Sequence, residues 1–261
     1  MSDLSKSDIA DFYDHFGKRM INDYLYGNPR VERAIERVCR FITPNMTRVL
    51  DIGCGIGISS AEFASRHKQI RVLGVDISPQ NIKVATSLFA NDRITFQVST
   101  ISDGVVEGTF DLIAMLDVYE HIPHSARTEV HDRLRELLAE RGVLILTVPS
   151  PLHQAYLRDN DPQELQIVDE DVTVEDAIKL SHDISATLMC FEYVSVWRTN
   201  DYLHIVIQRN PTFAELASCK PNTLRRLQRR IKRLRGRLSR RNHVQRALGI
   251  DVPLRRSTNR D

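Results

Sequence analysis

The sequence has few cysteines and no long apolar run. Its four cysteines, in a chain of 261 residues, are scattered without a Cys-x-x-Cys pair, which argues against a disulfide framework and against a structural zinc site. No stretch approaches about 18 consecutive apolar residues, so we predict no membrane-spanning helix. The first eight residues contain no apolar run, which predicts that there is no secretory signal peptide. These absences together predict a cytoplasmic protein.

The most informative segment is a glycine-rich turn that follows a predicted strand. Gly53, Gly55 and Gly57 stand at alternate positions after the apolar run 49–52. Glycines allow positive φ angles, and they let a ligand approach the backbone because no Cβ intervenes. The helix predicted from Ile58 would add unpaired N–H groups at its N-terminus. A dinucleotide-binding Gly-x-Gly-x-x-Gly turn would need glycine where Ile58 stands, and the chain contains no Gly-x-x-x-x-Gly-Lys loop for nucleotide hydrolysis.

Strand and helix patterns alternate along most of the chain. The apolar patterns predict strands at 48–52, 71–76, 94–98, 110–116, 142–148, 187–197 and 201–208. They predict helices at 58–67, 79–90, 125–139 and 173–185, after two helices within 8–42 that are separated at Gly27-Asn28-Pro29. This alternation predicts an α/β fold with a doubly wound sheet.

Acidic residues stand at the ends of two predicted strands. Asp76 closes the second strand about 20 residues after the glycine turn, where a carboxylate can accept both hydroxyls of an adenosine ribose. The fourth strand ends at Leu116-Asp117 and leads into the polar segment Tyr119–Pro123. Ligands of open α/β sheets bind beyond the carboxyl ends of the strands. We therefore expect the glycine turn and these acids to line one cleft.

The ordered segments 49–60, 71–78, 110–123 and 137–149 resemble the class I S-adenosylmethionine-dependent methyltransferases. The resemblance covers residues 45–208. It implies a mostly parallel, seven-stranded sheet with an antiparallel last strand, and S-adenosylmethionine as the cofactor. It also implies a methyltransferase domain over 1–210, with a helical lid over 1–44, and it leaves 211–261 as a basic tail.

The same resemblance implies the cofactor contacts. Gly53, Gly55 and Gly57 would line the amino-acid part of the cofactor, Asp76 would bind the ribose, and Asp51 would order the turn and contact the amino group directly or through water. Further implied contacts are Ile77, Ser99, Thr100, Leu116 and Asp117. Ser99 stands where the family often has an acid for the adenine amino group, and its hydroxyl can still accept a hydrogen bond. Within the segment 12–16, Tyr13 is the candidate for a lid residue over the cofactor carboxylate.

His121 and Glu120 are the catalytic candidates. His121 follows the fourth strand, where the transferred methyl group should point, and an imidazole that titrates near neutral pH suits a general base. The pair could instead only organise the loop. Ligation of a divalent metal is a further alternative, but no third ligand is evident and we predict no metal. His153 and the segment 166–170 follow the fifth strand and are candidates for substrate contact.

Missing motifs narrow the reaction. The chain has neither the Asn/Asp-Pro-Pro-Tyr/Phe segment used on nucleobase amines nor a Pro-Cys nucleophile for pyrimidine carbons. Oxygen methylation of a small-molecule, glycan-like or lipid-linked acceptor is therefore the leading prediction. An RNA or protein methyltransferase that docks through its tail remains an alternative, as does a non-catalytic S-adenosylmethionine-binding partner protein.

Charge is distributed unevenly along the chain. Residues 209–261 contain 16 basic and 3 acidic residues, whereas residues 1–208 contain 20 basic and 31 acidic residues. Leucines and one isoleucine recur three or four positions apart between 224 and 238, so the pattern predicts a basic amphipathic helix. Three interpretations stay open: packing against the acidic domain or a partner, an anionic membrane surface, or nucleic-acid phosphates.

Overall fold

Seven strands form one sheet at the centre of the protein, seen in a computed structural model that describes residues 19–166, 168–212, 240 and 243–249. The strands lie in the order β3-β2-β1-β4-β5-β7-β6. Their bounds are β1 (Arg48–Ile52), β2 (Arg71–Asp76), β3 (Ile94–Val98), β4 (Phe110–Leu116), β5 (Leu138–Pro149), β6 (Thr187–Val194) and β7 (Tyr202–Gln208). Strands β1 to β5 pair in parallel, and β7 is antiparallel to both β5 and β6. The predicted α/β class, with a mostly parallel seven-stranded sheet and an antiparallel last strand, is confirmed.

Six α-helices flank the sheet between residues 29 and 183 in the described part of the chain. They are α1 (Pro29–Cys39), α2 (Ile58–Ala64), α3 (Pro79–Phe89), α4 (Arg127–Leu137), α5 (Pro151–Asn160) and α6 (Val174–Asp183). Asn28, Ser78 and Ser150 cap helices that begin with proline, and each side chain accepts a backbone N–H of the first turn. Residues 19–26 are also helical, as are 243–248.

Both faces of the sheet are buried, which explains the continuous apolar runs of its central strands. On one face, Leu50 of β1 packs in a cluster with Leu134 of α4 and Leu180 of α6. On the other face, Val49 packs in a cluster with Val38 of α1 and Phe63 of α2. These two layers hold the carboxyl ends of β1, β2 and β4 side by side.

Several predicted boundaries were wrong, and one helix was missed. Helix α4 ends at Leu137, two residues early, because Leu138 already pairs with Phe110 and begins β5. Residues 151–160 form α5, a helix that was not among those predicted from the sequence. Strand β6 ends at Val194 because the Asp201 carboxylate accepts backbone N–H groups of residues 196–198 and turns the chain. Helix α2 also ends at Ala64 rather than at 67.

Gly53 is expected to tolerate no side chain. Its φ is +68°, and a Cβ there would overlap Cγ2 of Val118. Gly104 has a similar φ of +71° but open space around it. Gly104→Ala should therefore cost only the left-handed backbone penalty of about 1–2 kcal/mol, whereas Gly53→Ala should lower the free energy of unfolding by clearly more. Urea unfolding of both variants measures the difference, and equal losses would contradict the clash.

Candidate functional site

The glycine turn is bonded to the end of the neighbouring strand β2. Gly53, Gly55 and Gly57 all have positive φ, as the alternating pattern requires. The Gly55 N–H donates to Oδ2 of Asp76 at 2.8 Å, and the Cys54 N–H donates to the Val75 carbonyl at 3.0 Å. The two motifs that the sequence separates by about 20 residues therefore form one structure, as predicted from the parallel sheet.

Asp51 orders the beginning of α2. Its carboxylate is almost fully buried, and its Oδ2 accepts the hydroxyls of Ser59 and Ser60, each at 2.6 Å. Burial raises the pKa of Asp51 to about 6, although the two serine hydroxyls oppose the rise. This position agrees with the loop-ordering role predicted for Asp51, while its contact with a ligand amino group stays a prediction.

Asp76 presents a buried carboxylate at the carboxyl end of β2. Its Oδ1 accepts the Ser78 N–H at 2.9 Å and the Asn81 side-chain amide at 3.3 Å. The next strand brings Ser99 alongside, because the Ser99 N–H donates to the Asp76 carbonyl at 3.1 Å. The Ser99 hydroxyl donates to the Thr100 carbonyl at 2.8 Å, and Ile77 is half-buried. The four predicted positions thus lie at the adjoining carboxyl ends of β2 and β3.

Asp117, at the end of β4, is paired with a residue that the sequence did not suggest. Its carboxylate forms an ion pair with Arg30 in the first turn of α1. Asp117 adopts a positive φ of 55°, which is uncommon for a residue other than glycine and often found at functional sites. Its second oxygen, Oδ1, is buried without a hydrogen-bond partner among the described residues. Leu116, the residue before it, is half-buried.

His121 is oriented by the segment that follows α5. Its Nδ1 lies 2.7 Å from the Val168 carbonyl oxygen and 3.1 Å from Oδ1 of Asp169. Because both partners are acceptors, Nδ1 carries the hydrogen and Nε2 is the atom that can accept a proton. Asp169 is held in turn by the Gln166 N–H at 2.7 Å. The segment 166–170 is a candidate for substrate contact, which stays a prediction, and the structure shows that its Asp169 contacts His121.

Glu120 lies beside His121 and is almost completely buried. The distance from its Oε1 to Nε2 of His121 is 3.7 Å, and neither carboxylate oxygen has a hydrogen-bond partner among the described residues. Burial raises the pKa of Glu120, and the His121 charge opposes that rise. Burial also acts to lower the pKa of His121, but Glu120, Asp169 and the Val168 carbonyl outweigh it and the net shift is upward.

Further buried polar atoms face this end of the sheet without partners. His153 and Gln154 lie in the first turn of α5, and the rings of His153 and Tyr202 are 6.0 Å apart. Buried atoms that lack a hydrogen-bond partner within the described chain include Asp117 Oδ1, both Glu120 oxygens, Thr147 Oγ1, His153 Nδ1 and Gln154 Oε1. Buried polar groups are normally paired, so this concentration indicates a binding region for a polar molecule or for water. Arg30, Thr147 and Gln154 were missed, and only the Ser150-Pro151 capping signal of α5 could have suggested Gln154.

Two predicted features cannot be placed. Tyr13 lies outside the described residues, as does most of the basic tail.

No group of three His, Cys, Asp or Glu side chains within the described ranges has an arrangement that could hold a metal ion. Over the same ranges, every helix is too short or too polar to cross a membrane.

Comparisons with known proteins support the same motifs. Residues 49–142 match the family described as a methyltransferase domain. The ubiquinone biosynthesis O-methyltransferase of Xanthomonas axonopodis pv. citri (strain 306) is 32% identical over 117 residues, which are 43% of this chain and 47% of that protein. The O-antigen chain terminator bifunctional methyltransferase/kinase WbdD of Escherichia coli is 32% identical over 127 residues, which are 45% of this chain and 18% of that protein. The chain thus spans less than half of either relative.

Solved structures share the fold over a longer range. The magnesium protoporphyrin IX methyltransferase of Synechocystis PCC 6803, crystallised with bound S-adenosylhomocysteine, superposes with a TM-score of 0.64 and 20% identity. The match covers 79% of this chain and 100% of that chain. At 20% identity, this superposition shows that the two proteins share a fold and says nothing about a shared substrate.

Proposed function

We propose that this chain is a class I S-adenosylmethionine-dependent methyltransferase that methylates a hydroxyl oxygen of a small-molecule, glycan-like or lipid-linked acceptor. One observation carries the proposal. The buried carboxylate of Asp76 is bonded to the glycine turn, and a second group of buried, unpaired polar atoms lies beyond β4 and β5. A nucleoside-bearing cofactor fits the first region and a hydroxylated acceptor fits the second.

The cofactor region fits S-adenosylmethionine through its shape and its charge. Gly55 has a positive φ, and a Cβ there would come within 2.9 Å of Sδ of Met20, so the turn requires glycine at this point. Asp76 offers a carboxylate to the ribose hydroxyls, and Asp51 offers one to the amino group. When bound, S-adenosylmethionine supplies an electrophilic methyl group on a positively charged sulfur.

The acceptor region supports transfer to oxygen. Nε2 of His121 would take the proton of the acceptor hydroxyl, while Asp169 and the Val168 carbonyl hold the Nδ1 hydrogen. The buried carboxylate of Glu120 would stabilise the resulting imidazolium. The methyl–sulfur bond breaks as the methyl–oxygen bond forms, which leaves S-adenosylhomocysteine and the methyl ether. The name of the matched ubiquinone-pathway relative, an O-methyltransferase, favours oxygen as the acceptor atom.

Cofactor affinity should depend on pH through Asp51. Its pKa of about 6 lies above the ordinary value of 3.8, and only the ionised carboxylate attracts the cofactor ammonium. The ionised fraction falls as the pH drops below about 6, so affinity for S-adenosylhomocysteine should fall by up to about tenfold for each further pH unit. Calorimetric titrations between about pH 5 and pH 8 measure this change. Asp51→Asn should bind more weakly and with a flat profile over that range, and a wild-type profile that is equally flat would refute the role of Asp51.

Release of S-adenosylhomocysteine tests the proposed reaction. The protein would be incubated with S-adenosylmethionine and single probes: catechol, methyl glucoside, an undecaprenol and, for comparison, histamine and a short transfer-RNA fragment. Release above the acceptor-free rate with a hydroxyl probe, and a product heavier by one methyl group, is the expected result. Release with only the amine or RNA probe would contradict oxygen transfer, and the absence of cofactor binding by a folded protein would contradict the activity altogether.

A further inference from the structure

The C-terminal residues that the structure describes pack against the N-terminal helical segment. Val244 is completely buried in a cluster with Leu25 of the helix 19–26 and with Val84 and Leu88 of α3. Ala247 and Leu248 lie at the edge of the same cluster. We refer to Arg240 and residues 243–249 as the C-terminal brace.

Polar and aromatic contacts tie the brace to the same two helices. Nε2 of His243 lies 2.6 Å from the Leu88 carbonyl oxygen, and its ring stacks on Phe89 with centroids 5.7 Å apart. Phe89 also meets Tyr24 edge-on at 5.4 Å. Arg240 donates to the Tyr24 carbonyl at 3.1 Å, and its guanidinium lies 5.7 Å from the Tyr24 ring centre. The brace thus bonds to the helix 19–26 on one side and to α3 on the other.

The braced cluster extends into the cofactor region. Ile56, within the glycine turn, is 1% exposed and belongs to the cluster with Leu25 and Val244. Met20, from the same helix as Leu25, covers Gly55 so closely that a Cβ there would lie 2.9 Å from its Sδ. Helix α3 begins three residues after Asp76, and its cap residue Ser78 and its Asn81 side chain both donate to the Asp76 carboxylate. The packing of Val244 can therefore affect both the glycine turn and Asp76, because all three are connected through the same cluster.

The helix 19–26 meets the rest of the domain through this cluster and through an ion pair between Arg19 and Glu164. It is joined to α1 through Gly27 and Asn28, where Gly27 has a φ of +87°. The buried residue of the helix 19–26 is Leu25. It packs in the same apolar cluster as Val244. Without the buried methyl groups of Val244, this cluster would open to water on one side, and the docked position of the helix would be less populated.

We propose that the C-terminal brace holds the helix 19–26 on the glycine turn, so that Val244 and His243 are positioning residues for cofactor binding. The proposal rests on the proposed function in taking S-adenosylhomocysteine as the ligand. Neither residue contacts Asp51 or Asp76 in the described contacts. Their effect on affinity follows from the fraction of molecules in which the helix is docked, since apparent affinity scales with the population that is competent to bind.

The test compares full-length variants that place the same charge on opposite sides of the brace. Val244→Asp puts a carboxylate in the cluster, whereas Gln245→Asp puts it on the exposed side of the same helical segment. Val244→Ile keeps the apolar contact. Hydrogen exchange of residues 20–26 and calorimetric titration with S-adenosylhomocysteine are measured for each variant. For Val244→Asp, we expect exchange in 20–26 to rise by about tenfold or more, with a similar loss of affinity. The other two variants should match the wild type.

His243→Ala provides a second, milder variant if Val244→Asp does not fold. The substitution removes the hydrogen bond to the Leu88 carbonyl, and the His243 position is exposed, so folding should tolerate it. Exchange in residues 20–26 should rise and affinity for S-adenosylhomocysteine should fall, each by a few-fold. Faster exchange with unchanged affinity would overturn the positioning role, and unchanged exchange would overturn the brace itself. A wild type that does not bind S-adenosylhomocysteine would contradict the proposed function and the positioning role together, and the exchange data would then show separately whether the brace holds the helix.

Discussion

Asp76→Ala is expected to abolish measurable binding of S-adenosylmethionine and S-adenosylhomocysteine. The substitution removes the acceptor proposed for both ribose hydroxyls and also releases the Gly55 N–H of the glycine turn. A hydrogen bond to a charged group contributes about 1.5–3 kcal/mol, so the loss of two such bonds should weaken binding by about 100-fold or more. Isothermal titration calorimetry at neutral pH measures the change.

Two variants separate the carboxylate from the loop that it orders. Asp76→Asn retains an oxygen that can accept the Gly55 N–H but loses the charge, so its affinity should lie between those of the wild type and the alanine variant. Asp92→Ala removes an exposed carboxylate just before the amino end of β3, at the end of the strands away from Asp76, and should bind like the wild type. An affinity of Asp76→Ala within about threefold of the wild type would mean that the cofactor does not contact this residue.

His121→Ala is expected to lower kcat by about 100-fold to 10,000-fold, which is the range typical of a lost general base. The base must be neutral to accept a proton, and the pKa of His121 is raised above its ordinary value of 6.5. Activity should therefore rise with pH through a pKa above 6.5 and level off beyond it. Initial rates of S-adenosylhomocysteine release, measured across the pH range with the best hydroxyl probe, give both quantities.

Substitutions of two nearby residues show whether the His121 imidazole itself is responsible for the kcat and for its pH dependence. His124 lies three residues further on, with its side chain 55% exposed, and His124→Ala should retain wild-type kcat. Glu120→Gln removes a carboxylate that raises the pKa of His121, so the rising limb should move to lower pH. If His121→Ala keeps the wild-type kcat and pH profile, the residue only organises its loop. Cofactor affinity should stay unchanged in all three variants, which separates this prediction from that for Asp76.

Much of the fold could be predicted because its signals are local. The glycine turn, the Ser78-Pro79 cap and the apolar runs each depend on neighbouring residues. The order of the elements then places the carboxyl ends of β1, β2 and β4 at one edge. Asp51, Asp76 and Asp117 lie at that edge, as the sequence pattern predicts. The errors in the element boundaries came from contacts that are not local. The helical periodicity of the sequence continues past Leu137, but α4 ends there because Leu138 pairs with Phe110 of β4.

The partners of these residues depended on packing between distant segments. Arg30 lies far in sequence from Asp117, and Val168 is 47 residues from the His121 that it orients. Arg240 reaches the Tyr24 carbonyl across 216 residues. Periodicity and capping signals contain no information about such pairs, because each residue has the same local pattern whichever distant group it meets. The amino-acid order therefore determined the sheet, the glycine turn and the acids at the strand ends. Only the tertiary structure decided which side chains orient the candidate base, pair with Asp117 and cover the glycine turn. These contacts join segments that are distant in sequence and that are brought together by packing on the two sides of the sheet.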